Sequence, residues 1–80
     1  MATTYYDVPR KVTLTNLSDK PIKFQLYRVN LWEEIEAGNE CVLTADASEE
    51  CVYYQNLAIC FGVDEDGVPN VLKVDTEPVA

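Results

Sequence analysis

The chain contains no histidine and only three glycines among its 80 residues. Histidine is the side chain that most often transfers protons at neutral pH, so the usual general base and the usual activator of a nucleophile are missing. No glycine lies in a phosphate-binding GxxxxGK or GxGxxG pattern. Fourteen acidic residues are present, but no pair is set apart by its spacing. We therefore predict that the chain is not an enzyme and that it binds no cofactor.

Metal binding would have to rely on cysteine and acidic residues, and neither group has a suitable spacing. The three cysteines, Cys41, Cys51 and Cys60, include no CxxC pair, and their odd number does not indicate a disulfide framework. The acidic run at 64–67 ends in glycine, but its spacing does not fit an EF-hand loop. We predict no metal site, cysteines in or near the core, and a solvated turn at 64–67.

Long apolar segments are also absent. No apolar run approaches the roughly 18 residues that a membrane span requires. The first residues lack the basic and apolar regions of a signal peptide. We predict a protein that stays in the cytoplasm, or in a particle assembled there, and that has no membrane partner.

Positive charge is nearly confined to the first third of the chain. Positions 1–28 hold five of the six basic residues beside two acidic ones, whereas positions 29–80 hold twelve acidic residues and only Lys73. The net charge of −8 opposes a phosphate backbone, so we predict no direct nucleic-acid binding. A protein partner or self-association is expected instead, in which the basic end of one copy meets the acidic part of the next. No small-molecule substrate is evident.

Alternating apolar and polar residues predict strands in the first half of the chain. Residues 10–17 and 22–27 both alternate, and the turn signal at 18–21 predicts that they form an antiparallel hairpin. Residues 29–40 fit either a strand or a single helical turn that ends at a glycine. Residues 41–45 alternate again and predict a further strand.

The second half combines helix and strand signals. Asp46 and Glu49 have the spacing of a capping box, which predicts a short helix over about 47–56. The β-branched and aromatic residues inside that range favour a strand instead. The apolar run 57–63 predicts a buried strand that pairs, across the acidic turn, with a strand over 68–74.

These elements together predict a mainly β fold. It would be a small antiparallel β-sandwich or open barrel of five or six strands with one short helix; the alternative is an α+β sheet with one packed helix. The length fits a single domain over residues 1–80. Within it, residues 1–9 are expected to form an N-terminal arm and residues 76–80 a C-terminal tail.

Tyrosine and tryptophan supply most of the aromatic residues, six against two phenylalanines. Such side chains anchor interfaces because they bury a large area while one end stays hydrated. Trp32 lies among glutamates, which would suit a basic partner. The candidate partner-binding residues are Trp32, Glu33, Glu34, Glu36, Tyr53, Tyr54, Tyr5 and Tyr6.

Two functions remain open for a small acidic protein of this kind. Residues 14–24 and 35–43 resemble strand–turn–strand segments of small accessory modules in phage virions and bacterial surface appendages, a resemblance that rests on turn residues and names no family. It implies a non-enzymatic protein–protein interaction or assembly module, a structural or accessory component. The alternative is an acidic inhibitor, a nucleic-acid mimic that binds a basic site on another protein.

Overall fold

Five antiparallel strands and one helix make up the part of the chain that the structure describes, residues 9–79 of a computed structural model. The strands form a three-stranded sheet in the order β4-β1-β5 and a two-stranded sheet, β2-β3. This architecture confirms the prediction of a mainly β fold with one short helix. The elements are β1 (Arg10–Asn16), β2 (Ile22–Gln25), β3 (Trp32–Ile35), β4 (Glu40–Ala45), α1 (Ser48–Phe61) and β5 (Leu72–Pro78).

The three-stranded sheet buries one face and exposes the other. In β1, Val12 and Leu14 are fully buried, whereas Thr13 and Thr15 are partly exposed. The same alternation places Leu72 and Val74 of β5 in the core. Helix α1 packs on this buried face. Its buried residues recur at helical spacing and therefore lie on one side of the helix; they are Cys51, Tyr54 and Ala58.

Helix α1 connects the two outer strands of this sheet. Strands β4 and β5 both run antiparallel to β1, so they run parallel to each other with β1 between them. Parallel strands need a crossover connection rather than a tight turn, and α1 with the loop 62–71 supplies it. The strand nearest the N-terminus is therefore the central strand of the sheet.

The smaller sheet is a hairpin. Ile22 of β2 pairs with Ile35 of β3, and Phe24 pairs with Glu33. Phe24 and Ile35 are buried and join the core of the larger sheet. The loop between the strands contains Arg28, which has a positive φ of 58°.

The side chain of Asn16 connects the two sheets and is fully buried. Its Nδ2 donates hydrogen bonds to the carbonyl oxygens of Lys20 (2.7 Å) and Ile35 (2.9 Å). Its Oδ1 accepts from the N–H (2.9 Å) and the hydroxyl (2.7 Å) of Ser18. Backbone bonds to Gly38 and Asn39 tie the same residue to the β3–β4 turn. All polar atoms of this buried side chain are therefore paired, as burial requires.

The predicted hairpin between residues 10–17 and 22–27 is wrong. Both edges of β1 are taken by β4 and β5, so β2 has no place beside β1 and pairs with β3 instead. After Asn16, the N–H of Leu17 donates to the carbonyl oxygen of Val71 at 2.8 Å. The chain does bend at residues 18–20, but a turn signal does not show which strand the next segment pairs with.

The helix is longer than the predicted range 47–56, and the predicted strand 57–63 does not exist. Residues 57–61 continue α1, and the helix ends at Gly62, whose φ is 142°. The capping box is also wrong, because Ala47 is the N-cap and no side chain caps it. Glu50 reaches back instead and accepts a hydrogen bond from the N–H of Asp46 at 3.3 Å.

The last strand is shifted relative to the prediction. It covers 72–78 rather than 68–74, so residues 76–78 of the expected tail belong to the sheet. The turn at 64–67 is present and exposed, with Asp64 Oδ1 accepting from the N–H of Asp66 and of Val68. Only an isolated bridge, Val63 with Pro69, flanks this turn among the described residues.

The expected N-terminal arm lies almost entirely outside the described residues, which begin at Pro9. The N–H of Val79 donates to the carbonyl oxygen of Pro9 at 3.3 Å, so the two ends of the described segment are adjacent. Over residues 9–79, no helix is long and apolar enough to cross a membrane.

We expect Asn16→Ala to lower the free energy of unfolding by about 2–3 kcal/mol, because the buried carbonyl of Ile35 loses its donor. Urea unfolding measures this difference. Asn30→Ala is the control, since Asn30 is exposed in the β2–β3 loop and should change stability by less than about 0.5 kcal/mol. Equal losses in the two variants would contradict the role of Asn16.

Candidate functional site

An open apolar groove of about 330 Å³ runs between β2 and α1. Its volume is at the lower end of the range for ligand pockets, so it can hold a short segment rather than a folded element. The hairpin side is lined by Lys23, Phe24, Gln25 and Trp32, and the helix side by Tyr53, Leu57, Cys60 and Phe61.

Two tyrosines of α1 join the helix to the outer edge of β2. The hydroxyl of Tyr53 donates to the carbonyl oxygen of Gln25 at 2.5 Å. The hydroxyl of Tyr54 accepts from the N–H of Tyr27 at 3.2 Å. Their rings meet edge to face, with centroids 5.0 Å apart. These contacts set the distance between helix and strand, and therefore the width of the groove.

Trp32 stands at the rim of the groove with 61% of its surface exposed. It lies directly opposite Gln25 across the hairpin. The preceding residue, Leu31, is 62% exposed, and Val29 in the same loop is also exposed. The tip of the hairpin therefore presents three large apolar side chains to solvent.

The three predicted glutamates are exposed but do not form one row. Side chains alternate along a strand, so Trp32 and Glu34 project from one face of β3 and Glu33 from the other. Glu36 follows the end of the strand. On its own face, the carboxylate of Glu33 is close enough to Cys41 to raise the pKa of that thiol.

The predicted tyrosines have different positions. Tyr53 is half-buried and lines the groove, whereas Tyr54 is only 3% exposed and packs edge to face on Phe24. Burial raises the pKa of the Tyr54 hydroxyl above its ordinary value. Tyr54 is therefore a core residue, and little of its surface is available to a partner. Tyr5 and Tyr6 lie outside the described residues.

The predicted set includes two of the eight groove residues, Trp32 and Tyr53, and omits the other six: Lys23, Phe24, Gln25, Leu57, Cys60 and Phe61. Residues 57, 60 and 61 share a helix face, because positions three and four apart are neighbours on a helix. The predicted strand over 57–63 is incompatible with this helical spacing. Lys23 lies in the alternating segment 22–27, and nothing near it in the sequence points to the helix.

The cysteines occupy three different environments. Cys51 is fully buried, Cys41 is partly buried, and Cys60 is exposed in the groove. Burial raises the pKa of both Cys41 and Cys51, and the Glu33 carboxylate raises that of Cys41 further. The prediction that all three lie in or near the core is therefore wrong for Cys60. Within residues 9–79, no three cysteine, aspartate or glutamate side chains are grouped so as to hold a metal ion.

We expect Cys60 to react with a thiol reagent at least about tenfold faster than Cys51, because only the Cys60 thiol is exposed.

In a Cys60→Ser background, Glu33→Gln should accelerate modification of Cys41 at mildly alkaline pH. Removing the negative charge lowers the pKa of Cys41, which increases its thiolate fraction. Mass spectrometry of time-resolved modification identifies each site. Glu36→Gln is the control, and an equal acceleration there would contradict the assignment.

We expect Tyr54→Phe to increase the hydrogen-exchange rate of the Tyr27 amide about fivefold, since the loss of one acceptor costs about 1 kcal/mol. NMR-detected exchange measures this amide directly. Tyr53→Phe is the matched control, because the Tyr53 hydroxyl bonds to the carbonyl of Gln25 and not to the Tyr27 amide. A Tyr27 amide that is unaffected by Tyr54→Phe would show that the hydroxyl is not its acceptor.

Comparisons of the chain with protein-family models, with curated proteins and with solved structures found no match. The interpretation of the groove and of the hairpin tip therefore rests on their own geometry and chemistry.

Proposed function

We propose that this chain is a protein–protein interaction or assembly module that acts by binding and not by catalysis, and that the hairpin tip around Trp32 is its contact surface. The observation that carries the proposal is the exposure of Trp32, 61%, at the rim of an apolar groove. In the proposed assembly role, the partner is a further copy of the chain or another subunit of a phage or bacterial particle.

The hairpin tip has the composition that interfaces favour. Tryptophan is enriched among the residues that contribute most to binding, and its cost of ordering is small because it has few rotatable bonds. Leu31 and Val29 extend the apolar area on the same loop. Contact with a partner would remove all three side chains from water, which would stabilise the complex by roughly 25 cal/mol for each Å² of apolar surface buried.

Charge around the tip supports a partner with basic residues. Glu34 lies on the same face of β3 as Trp32, and Glu36 follows two residues later. Opposite charges at the rim of an interface accelerate association, and their attraction weakens as the salt concentration rises. The alternative function, nucleic-acid mimicry, requires a continuous row of carboxylates, and the alternation of Glu33 and Glu34 between two faces gives it less support.

Site-specific photocrosslinking tests the proposal. A photoreactive benzoylphenylalanine is placed at position 32 or at position 42, and the protein is irradiated in the cells that produce it. Val42 is the matched control because it is 52% exposed on β4, away from the groove. We expect position 32 to give a crosslinked product of defined mass, with a second copy or with another protein, and position 42 to give little.

Folding must be intact for this comparison to count. Because Trp32 is mostly exposed, substitution there should change the free energy of unfolding by less than about 1 kcal/mol. Folded variants that crosslink equally at both positions, or at neither, would contradict the proposed contact surface. Catalytic turnover that depends on a single carboxylate or thiol would contradict the proposal as a whole.

A further inference from the structure

We propose that the groove between β2 and α1 binds an extended segment of a partner protein, which joins β2 as an additional strand and places a carboxylate beside Lys23. The inference rests on the proposed function and specifies the chemistry of the segment that this site accepts. Three features of the groove carry it: the unpaired backbone of β2, the apolar wall of the helix, and the charge of Lys23.

The outer edge of β2 carries backbone groups without partners. The N–H of Leu26 donates a hydrogen bond to the carbonyl oxygen of Leu31. In an antiparallel pair of strands, every second residue is hydrogen-bonded to the partner strand. In β2, the residues whose backbone is hydrogen-bonded to β3 are therefore Phe24 and Ile22. The backbone groups of Lys23 and Gln25 therefore point away from β3. Tyr53 takes the Gln25 carbonyl oxygen.

The Lys23 N–H, the Lys23 carbonyl oxygen and the Gln25 N–H have no hydrogen-bond partner within residues 9–79. Two donors and one acceptor in this arrangement match the backbone of an extended chain. Partner segments commonly bind in this way, by adding a strand to an open sheet edge.

The helix keeps the groove open on the other side of this edge. The tyrosine hydrogen bonds hold α1 near Gln25 and Tyr27, and Leu57, Cys60 and Phe61 form the apolar helix side of the groove that Lys23 also lines. The distance from Leu57 to Phe61 along the helix is about 6 Å, which corresponds to about two residues of an extended strand. The site therefore fits a short segment with small apolar side chains, consistent with its volume of about 330 Å³.

Lys23 supplies the charge preference. It is exposed, lines the groove, and forms no salt bridge with any residue in the described range, although Glu34 is its neighbour across the hairpin. It is the one charged side chain in the lining of this groove. A carboxylate on the bound segment would form an ion pair with the Lys23 ammonium group. The apolar residues around this pair would lower the local dielectric constant and so strengthen the attraction.

The test uses a phage-displayed library of random peptides of about nine residues, which is about the length of a long strand. The folded chain is the target, and enriched peptides are synthesised with blocked ends. We expect them to alternate apolar residues with at least one acidic residue. In titrations of ¹⁵N-labelled protein, the amides of Lys23 and Gln25 should shift and become protected from exchange. A bound peptide should also slow modification of the exposed Cys60 thiol.

Two variations separate strand addition from nonspecific binding. N-methylation of the peptide residue that pairs with Lys23 should weaken binding at least about tenfold, because it removes the donor to the Lys23 carbonyl oxygen. Lys23→Glu should weaken binding of an acidic peptide about tenfold. Lys20→Glu makes the same charge change on an exposed lysine outside the groove and should have an effect below about twofold.

The inference is overturned if no peptide is enriched, if enriched peptides shift amides elsewhere, or if N-methylation has no effect. A crosslink from position 32 without peptide binding in the groove would leave the proposed function standing and remove only this inference. Peptide binding in the groove without any crosslink from position 32 would place the contact surface in the groove rather than at the hairpin tip.

Discussion

The arrangement of the two sheets depends on the buried amide of Asn16. Its four side-chain hydrogen bonds connect the end of β1 to the following turn and to the last residue of β3. No strand pairing joins the two sheets within residues 9–79. A buried amide permits few alternative arrangements, because any other would leave polar atoms unpaired in an apolar environment. The tyrosines of α1 then attach the far end of the hairpin to the helix.

The fold places the basic and acidic parts of the chain side by side. Strand β1, with Arg10 and Lys11, lies between β4 and β5, and Lys11 forms a 3.1 Å salt bridge with Glu77. Strand β2 carries Lys23 and pairs with the acidic strand β3. The charge division along the sequence is therefore not reproduced as a simple division in space. Among the described residues, no acidic side chain forms a salt bridge with Lys23.

The sequence predicted strand positions and faces better than strand neighbours. Alternation reports which side of a strand is buried, and it located β1, β2 and β4 closely, whereas residues 29–40, which contain β3, also fitted a helical turn. It carries no information about pairing, so β1 was assigned to the wrong partner. The apolar run 57–63 was predicted as a buried strand, whereas residues 57–61 continue the helix, because apolar character alone does not separate a short buried strand from a helix segment. Trp32 was predicted as a partner-binding residue because it lies among glutamates. The groove was not predicted, because its two walls are brought together by contacts between residues that are distant in the sequence.

The central position of β1 has a consequence for how the chain folds. Arg10 is paired with Pro78, so β1 leaves the ribosome well before β5, the strand that completes its sheet. Contacts between such distant positions slow folding, because a large loop must close before they form. Until then the edge of β1 that β5 covers stays open to other nascent chains, a period in which aggregation competes with folding. Its polar alternate residues, lysine and threonine among them, lessen that risk by keeping one face of the waiting strand hydrated.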